Sequence, residues 1–135
     1  MGVLMNKRIK NVLVTVMCVM FATTTVFAAT KSRETYYAMK GGVFSKSMDI
    51  KKNGSLKVKM TPSVANSYDC PILIYVDQKH WWGWGGSGLS GKEVNSHESK
   101  TVTFKVSDKA TYRVYLSSPW RYYVEGTVKF TWDAQ

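Results

Sequence analysis

Cysteine is nearly absent from this sequence. Only Cys18 and Cys70 occur, and Cys18 falls in an N-terminal stretch read below as removable, so the remaining chain can form no internal disulfide. A lone thiol followed by Pro71 and the apolar Ile72-Leu73-Ile74 reads as a small buried apolar residue. Acidic residues are scarce too, with 9 against 19 lysines and arginines, and the histidines number 2. Asp77, His80, His97 and Cys70 are residue types for a thiol nucleophile with its base, or for a metal, yet no catalytic or structural-metal spacing joins them. Asp69 with Asp77, or Glu93 with Glu98, are types used in pairs for glycoside hydrolysis, and nothing in the sequence sets either pair across a cleft. The glycines form no GxxxxGK[ST] phosphate loop. Internal repeats, low-complexity linkers and helical periodicity are also missing. The chain reads as non-enzymatic, with no catalytic residue, cofactor or metal assigned.

The longest apolar run stands near the start. Lys7, Arg8 and Lys10 precede Val12 to Ala22, interrupted only by Thr15; Thr23-Thr24-Thr25 and the small-residue site Val26-Phe27-Ala28 follow. This is the order of an export signal, and the run is shorter than the roughly 20 residues that span a bilayer. The flanks of Cys18 do not fit lipid attachment. The expected organisation is a signal peptide over 1–28 and one secreted domain over 29–135, a usual single-domain size. Removing Lys7, Arg8 and Lys10 from the 19 basic residues leaves 16 against 9 acidic, a net charge of +7. Such a surplus draws anionic glycopolymers or lipid headgroups and also keeps a monomer soluble; nucleic acid is not expected as a partner.

Period-two alternation orders the rest. Leu56, Val58 and Met60 share one face, with Lys57 and Lys59 on the other. Phe44, Met48 and Ile50 share a parity before Lys51-Lys52-Asn53-Gly54, and Asn-Gly between alternating runs predicts a hairpin. Ile72 to Val76 is continuously apolar, which predicts a strand covered on both faces. Val102, Phe104 and Val106 alternate with Thr103 and Lys105. After a turn at Ser107–Ala110, Tyr112, Val114 and Leu116 oppose Arg113 and Tyr115. Val128, Phe130 and Trp132 alternate with Thr127, Lys129 and Thr131, and Glu34 to Met39 adds an N-terminal strand. The pattern predicts an all-β fold, a small antiparallel β-sandwich or jelly roll of about six to eight strands.

From Val43 to Trp132, the run Leu56-Lys57-Val58, the strand Ile72-Leu73-Ile74-Tyr75-Val76 and the pair Val102-Thr103-Phe104 and Tyr112-Arg113-Val114 together resemble the pre-peptidase C-terminal jelly-roll domains of secreted bacterial peptidases. The acidic pair usual before the Leu-Tyr strand is replaced here by Cys70-Pro71 after Asp69. The resemblance therefore implies a jelly roll and transfers no functional residue.

The most unusual segment is His80-Trp81-Trp82-Gly83-Trp84-Gly85-Gly86-Ser87-Gly88-Leu89-Ser90-Gly91. Its glycines predict a flexible loop from about Gln78 to Glu98, longer than ordinary connections. Accessible indoles at Trp81, Trp82 and Trp84 suit stacking on a sugar, insertion at a bilayer interface or anchoring of a protein partner; folded back, they would cap the sandwich instead. Trp120, Arg121 and Tyr122 form a second aromatic group with a cation, and Tyr36 and Tyr37 can join either cluster. Lys57, Lys59, Lys105, Arg113 and Lys129 take outward parities and, if their strands share a sheet, make a basic face beside the tryptophans. The leading expectation is a secreted, monomeric module for a surface polysaccharide or anionic glycopolymer, using Trp81, Trp82, Trp84, Trp120, Arg121, Tyr122, Lys57 and Lys59. A membrane-active or antagonistic protein drawn to anionic lipid, and a small secreted enzyme or enzyme inhibitor, are the alternatives.

Overall fold

The computed structural model describes residues 29–135, and the expected export signal over 1–28 lies outside the described residues. A strand with one apolar face is stable only when that face is covered, so alternation through most of the domain calls for two sheets face to face. Ten strands are present among the described residues: β1 (Thr30–Met39), β2 (Gly42–Phe44), β3 (Met48–Ile50), β4 (Ser55–Pro62), β5 (Pro71–His80), β6 (Gly83–Gly86), β7 (Lys92–Asn95), β8 (Lys100–Lys105), β9 (Ala110–Ser117) and β10 (Val124–Asp133). The first sheet runs β1-β10-β4-β8. In the second, β5 and β9 pair at the centre, the short β2 and β3 follow one another along the free side of β9, and β6 and β7 do the same along β5. All pairings are antiparallel. The fold is the all-β sandwich that the alternation predicts.

Leu56, Val58, Met60, Phe104, Val128 and Phe130 from the first sheet meet Met48, Ile50, Ile72, Ile74, Val114 and Leu116 from the second, all buried. Each such side chain contributes about 1.5–3 kcal/mol by leaving water. Cys70 is buried and unpaired. The connection before it is pinned by Asn66, a buried amide that donates to the Ser96 carbonyl at 2.8 Å and the Glu125 carbonyl at 3.1 Å, and accepts from the Glu125 amide at 2.9 Å.

Three local expectations are corrected. The turn at Asn53 exists, with φ 58° and the Gly54 amide bonded to the Lys51 carbonyl at 3.0 Å. It joins no hairpin, because β3 pairs with β9 in one sheet while β4 pairs with β10 and β8 in the other. Ile50 and Leu56 are both wholly buried on either side of this arch, and satisfying both requires the chain to change sheets. Gly54 is needed for close approach, since a Cβ there would come within 2.9 Å of the Ile50 side chain and the Lys51 carbonyl. Phe44 does not share the buried parity of Met48 and Ile50. The Ser45 hydroxyl accepts from the Val114 amide at 2.8 Å, interrupting the ladder between β2 and β3 and turning Phe44 to solvent. Nor is the Ile72–Val76 strand covered on both faces: Leu73 and Tyr75 are exposed. The apolar run reflects one face buried in the core and another that is apolar while facing water.

Candidate functional site

That second face is the candidate site. On the outer surface of the second sheet, Tyr75 on β5 stands opposite Tyr115 on β9, which stands opposite Phe44 on β2. Ring centroids are 4.6 Å apart between Phe44 and Tyr115, and 6.5 Å between Tyr115 and Tyr75. Phe44 is 51% and Tyr75 40% exposed. One row along, Arg113 faces Asp77, and its Nε donates to Asp77 Oδ2 at 3.3 Å. The guanidinium carbon lies 3.9 Å from the Phe44 ring centroid and 4.4 Å from that of Trp84, so the cation is held between two aromatic faces. Trp84 reaches this position from β6, opposite Lys79.

Glycines make room for the rings. A Cβ at Gly42 would overlap the Tyr115 phenol, and one at Gly91 would come within 2.6 Å of the Tyr75 ring. The rings lie against bare backbone, which fixes their orientation before any ligand arrives.

The segment expected to be a flexible loop is built of strands. β5 continues to His80, Trp81 and Trp82 make the reversal, and Gly83 pairs back with His80. Gly83 supplies the unusual backbone angle at φ 130°, a conformation that L side chains rarely adopt. Trp82 stacks on His80 at 5.0 Å with the planes 7° apart. Trp81 at the tip is 96% exposed.

The residues singled out from sequence do not converge. Trp81, Trp82 and Trp84 lie at the end of the sandwich where β5 finishes. Trp120, Arg121 and Tyr122 lie in the connection from β9 to β10 at the opposite end, where Trp120 and Arg121 are exposed and Tyr122 packs against Tyr68 at 4.7 Å. Lys57 and Lys59 point outward from the first sheet, Lys59 directly opposite Lys129. Lys105 shares that sheet while Arg113 belongs to the other, so the basic face expected beside the tryptophans is divided between opposite surfaces. Asp77 and His80 lie near one end of β5, whereas Cys70 precedes its other end and His97 follows β7. Tyr36 faces out from the first sheet and donates to Glu125 Oε2 at 2.5 Å, which also accepts from Tyr123 at 2.9 Å. The bond to Glu125 pushes the Tyr36 hydroxyl up to about 12, and the two phenols hold the Glu125 carboxyl below its ordinary range. Tyr37 faces inward, where burial raises it to about 12 and leaves its hydroxyl without a partner. Beside Phe44 the seam between β1 and β2 is open, forming a cleft of about 530 Å³ that reaches Leu116, Val128 and Phe130.

Phe44, Tyr75 and Tyr115 belong to this candidate site and were not selected from the sequence, where Asp77 entered only as a catalytic or metal-ligand type. Tyr115 and Arg113 carried the signal, as two outward residues on one strand. Which strands flank β9 is set by long-range pairing.

No protein-family model matches this sequence, and a search of curated proteins finds no match. Among solved structures, the chain is similar to a periplasmic inhibitor of g-type lysozyme from Aeromonas hydrophila, at 8% identity and TM-score 0.47 over 78% of this chain and 87% of that one. It is also similar to a family GH115 4-O-methyl-α-glucuronidase, at 10% identity and TM-score 0.48 over 82% of this chain and 17% of the much longer enzyme. A third likeness, to the carbohydrate-binding module CBM4, has 13% identity and TM-score 0.35 over 73% of this chain and 56% of that one. Likenesses this distant carry no argument about ligand or activity.

Proposed function

We propose that this protein is an exported, non-catalytic binding module that holds a neutral polysaccharide along the outer face of its second sheet. The exposed row Phe44-Tyr115-Tyr75, with Arg113 set between Phe44 and Trp84, is the observation that carries the reading. Aromatic planes offer apolar area to the faces of sugar rings, and nearby polar groups set the register. Here those groups are Asp77, Arg113, Lys79 and Ser117. The rows from Leu73 to Lys79 span about 20 Å at ~3.3 Å per residue, room for several sugar rings of a chain lying flat. The surface is open rather than pocketed, which suits the side of a polymer more than its end. Arg113 is committed to Asp77, so the cation beside the aromatic row carries little free charge, and this favours a neutral sugar over an acidic one at the rings. Glycine seating and the aromatic clamp on Arg113 order the side chains in advance, lowering the entropy lost on binding.

Retention on insoluble cell-wall polysaccharide tests this. Tyr115→Ala and Tyr75→Ala should each weaken retention about tenfold, equivalent to ~1.4 kcal/mol, with circular dichroism unchanged because neither ring is in the core. Full retention by folded variants, or no retention of the unaltered protein on any neutral polysaccharide in a broad panel, would overturn the proposal.

A further inference from the structure

One end of the sandwich has a composition unlike the rest. Gln78 on β5, Tyr112 on β9 and Met48 on β3 share a single row of the second sheet. Three residues beyond that row, each strand enters a connection: Trp81-Trp82 after β5, Lys51-Lys52-Asn53 after β3, and Lys109 before β9. The three tips are therefore level. Strand spacing of about 4.8 Å and sheet separation of about 10 Å place them within about 10–15 Å of one another. Around the fully exposed Trp81 stand Lys51, Lys52, Lys79 and Lys109, all exposed, and none has a carboxylate partner among the described residues. Of the acids at this end, Asp49 and Asp133 are occupied, accepting from the Thr111 hydroxyl at 2.6 Å and the Ser55 amide at 2.8 Å, which leaves the exposed Asp108 beside Lys109 as a single carboxylate against four lysines. The opposite end is not basic. There Lys40, Lys100 and Arg121 are offset by Asp69, Glu98 and Glu125.

We propose that this end docks the protein on an anionic lipid bilayer, with Trp81 and Trp82 entering the interfacial layer and the four lysines meeting lipid phosphates. An indole that is almost wholly exposed at the tip of a tight turn adds nothing to the core. Its flat apolar body and single donor suit the headgroup boundary of a membrane. Unpaired lysines at one level around it complement a negatively charged leaflet, each strengthening attachment about fivefold near the surface. Two indoles alone bind weakly, and four lysines alone do not distinguish lipid from any other polyanion. The combination at one level end is what selects a bilayer. This surface meets the polysaccharide face at Lys79 and does not depend on that reading.

The test is partition of the purified protein, as processed by its host, onto vesicles of phosphatidylglycerol mixed with phosphatidylcholine, followed by sedimentation and by tryptophan emission. Expected results are binding to these vesicles, none to pure phosphatidylcholine, release at ~0.5 M salt by screening, and a blue shift in emission. Trp81→Ser should weaken partition at least tenfold and remove most of the shift, and it cannot unfold a protein in which the residue is solvent-exposed. Lys51→Glu with Lys52→Glu and Lys109→Glu should weaken it more than a hundredfold. Three outcomes would overturn the proposal: no partition onto anionic vesicles at low salt; partition that Trp81→Ser leaves unchanged, which would place binding on another surface; or equal binding to soluble dextran sulfate with no blue shift on vesicles, which would make the lysines a general polyanion site.

Discussion

Glu125 accepts hydrogen bonds from two phenols at once, and the consequence appears at both extremes of pH. The folded pKa of Glu125 is lowered, so its contribution to stability is present above the ordinary carboxylate range and is lost as pH falls through the folded value. Tyr36 and Tyr37 have folded values raised to about 12, Tyr36 through its bond to Glu125 and Tyr37 through burial. Their contribution is complete below about pH 10 and is lost as pH rises from there through about 12. Absorbance at 295 nm should show phenols that ionise well above the ordinary tyrosine range, Tyr36 and Tyr37 among them. Tyr36→Phe should remove one of them and move the Glu125 carboxyl back toward its ordinary range. Uniform ionisation of all tyrosines near pH 10 would contradict this arrangement.

At the scale of elements, the hairpin of β5 and β6 hangs on Gly83. With φ at 130°, a side chain there is strained, and Gly83→Ala should cost about 1–3 kcal/mol locally. The loss should be visible as faster amide exchange through β6 while β4, β5 and β10 keep their protection; unchanged exchange in β6 would count against it. Local signals reveal the elements better than their pairing. Alternation read correctly the faces of β4, β8, β9 and β10, because a two-residue period needs no partner to be visible. Asn53-Gly54 marked a turn but not its partners, since the same dipeptide closes a hairpin or carries an arch, and only the burial of Ile50 and Leu56 decides. The glycines from 83 to 91 were read as flexibility, but Gly91 seats the Tyr75 ring and Gly83 reverses a hairpin. The tryptophans were legible as unusual. The platform of Phe44, Tyr75 and Tyr115 was not, because it comes from three strands distant in sequence, and Phe44 faces outward only because Ser45 interrupts the ladder.

For the whole molecule, the proposed binding surfaces share one core. The aromatic platform covers the outside of the second sheet, the basic tryptophan end crowns the sandwich, and Lys57, Lys59 and Lys129 stand on the far face. β10 binds the first sheet together, flanked by β1 and β4, with Thr30 opposite Asp133. A chain ending before Val124 should therefore show no cooperative thermal transition by circular dichroism; a sharp transition in such a truncation would refute the central role of β10. The complete domain should refold in milliseconds to seconds, as all-β topologies dominated by distant pairings do.

The place of β10 also governs timing. A chain that emerges amino end first offers β1 no neighbour until nearly everything else has passed, because the strand that must lie between β1 and β4 comes tenth. The sheet cannot close behind a moving chain, so the polypeptide stays threadable until its final strand is delivered. The order of strands acts as a latch that shuts only when the last of them arrives.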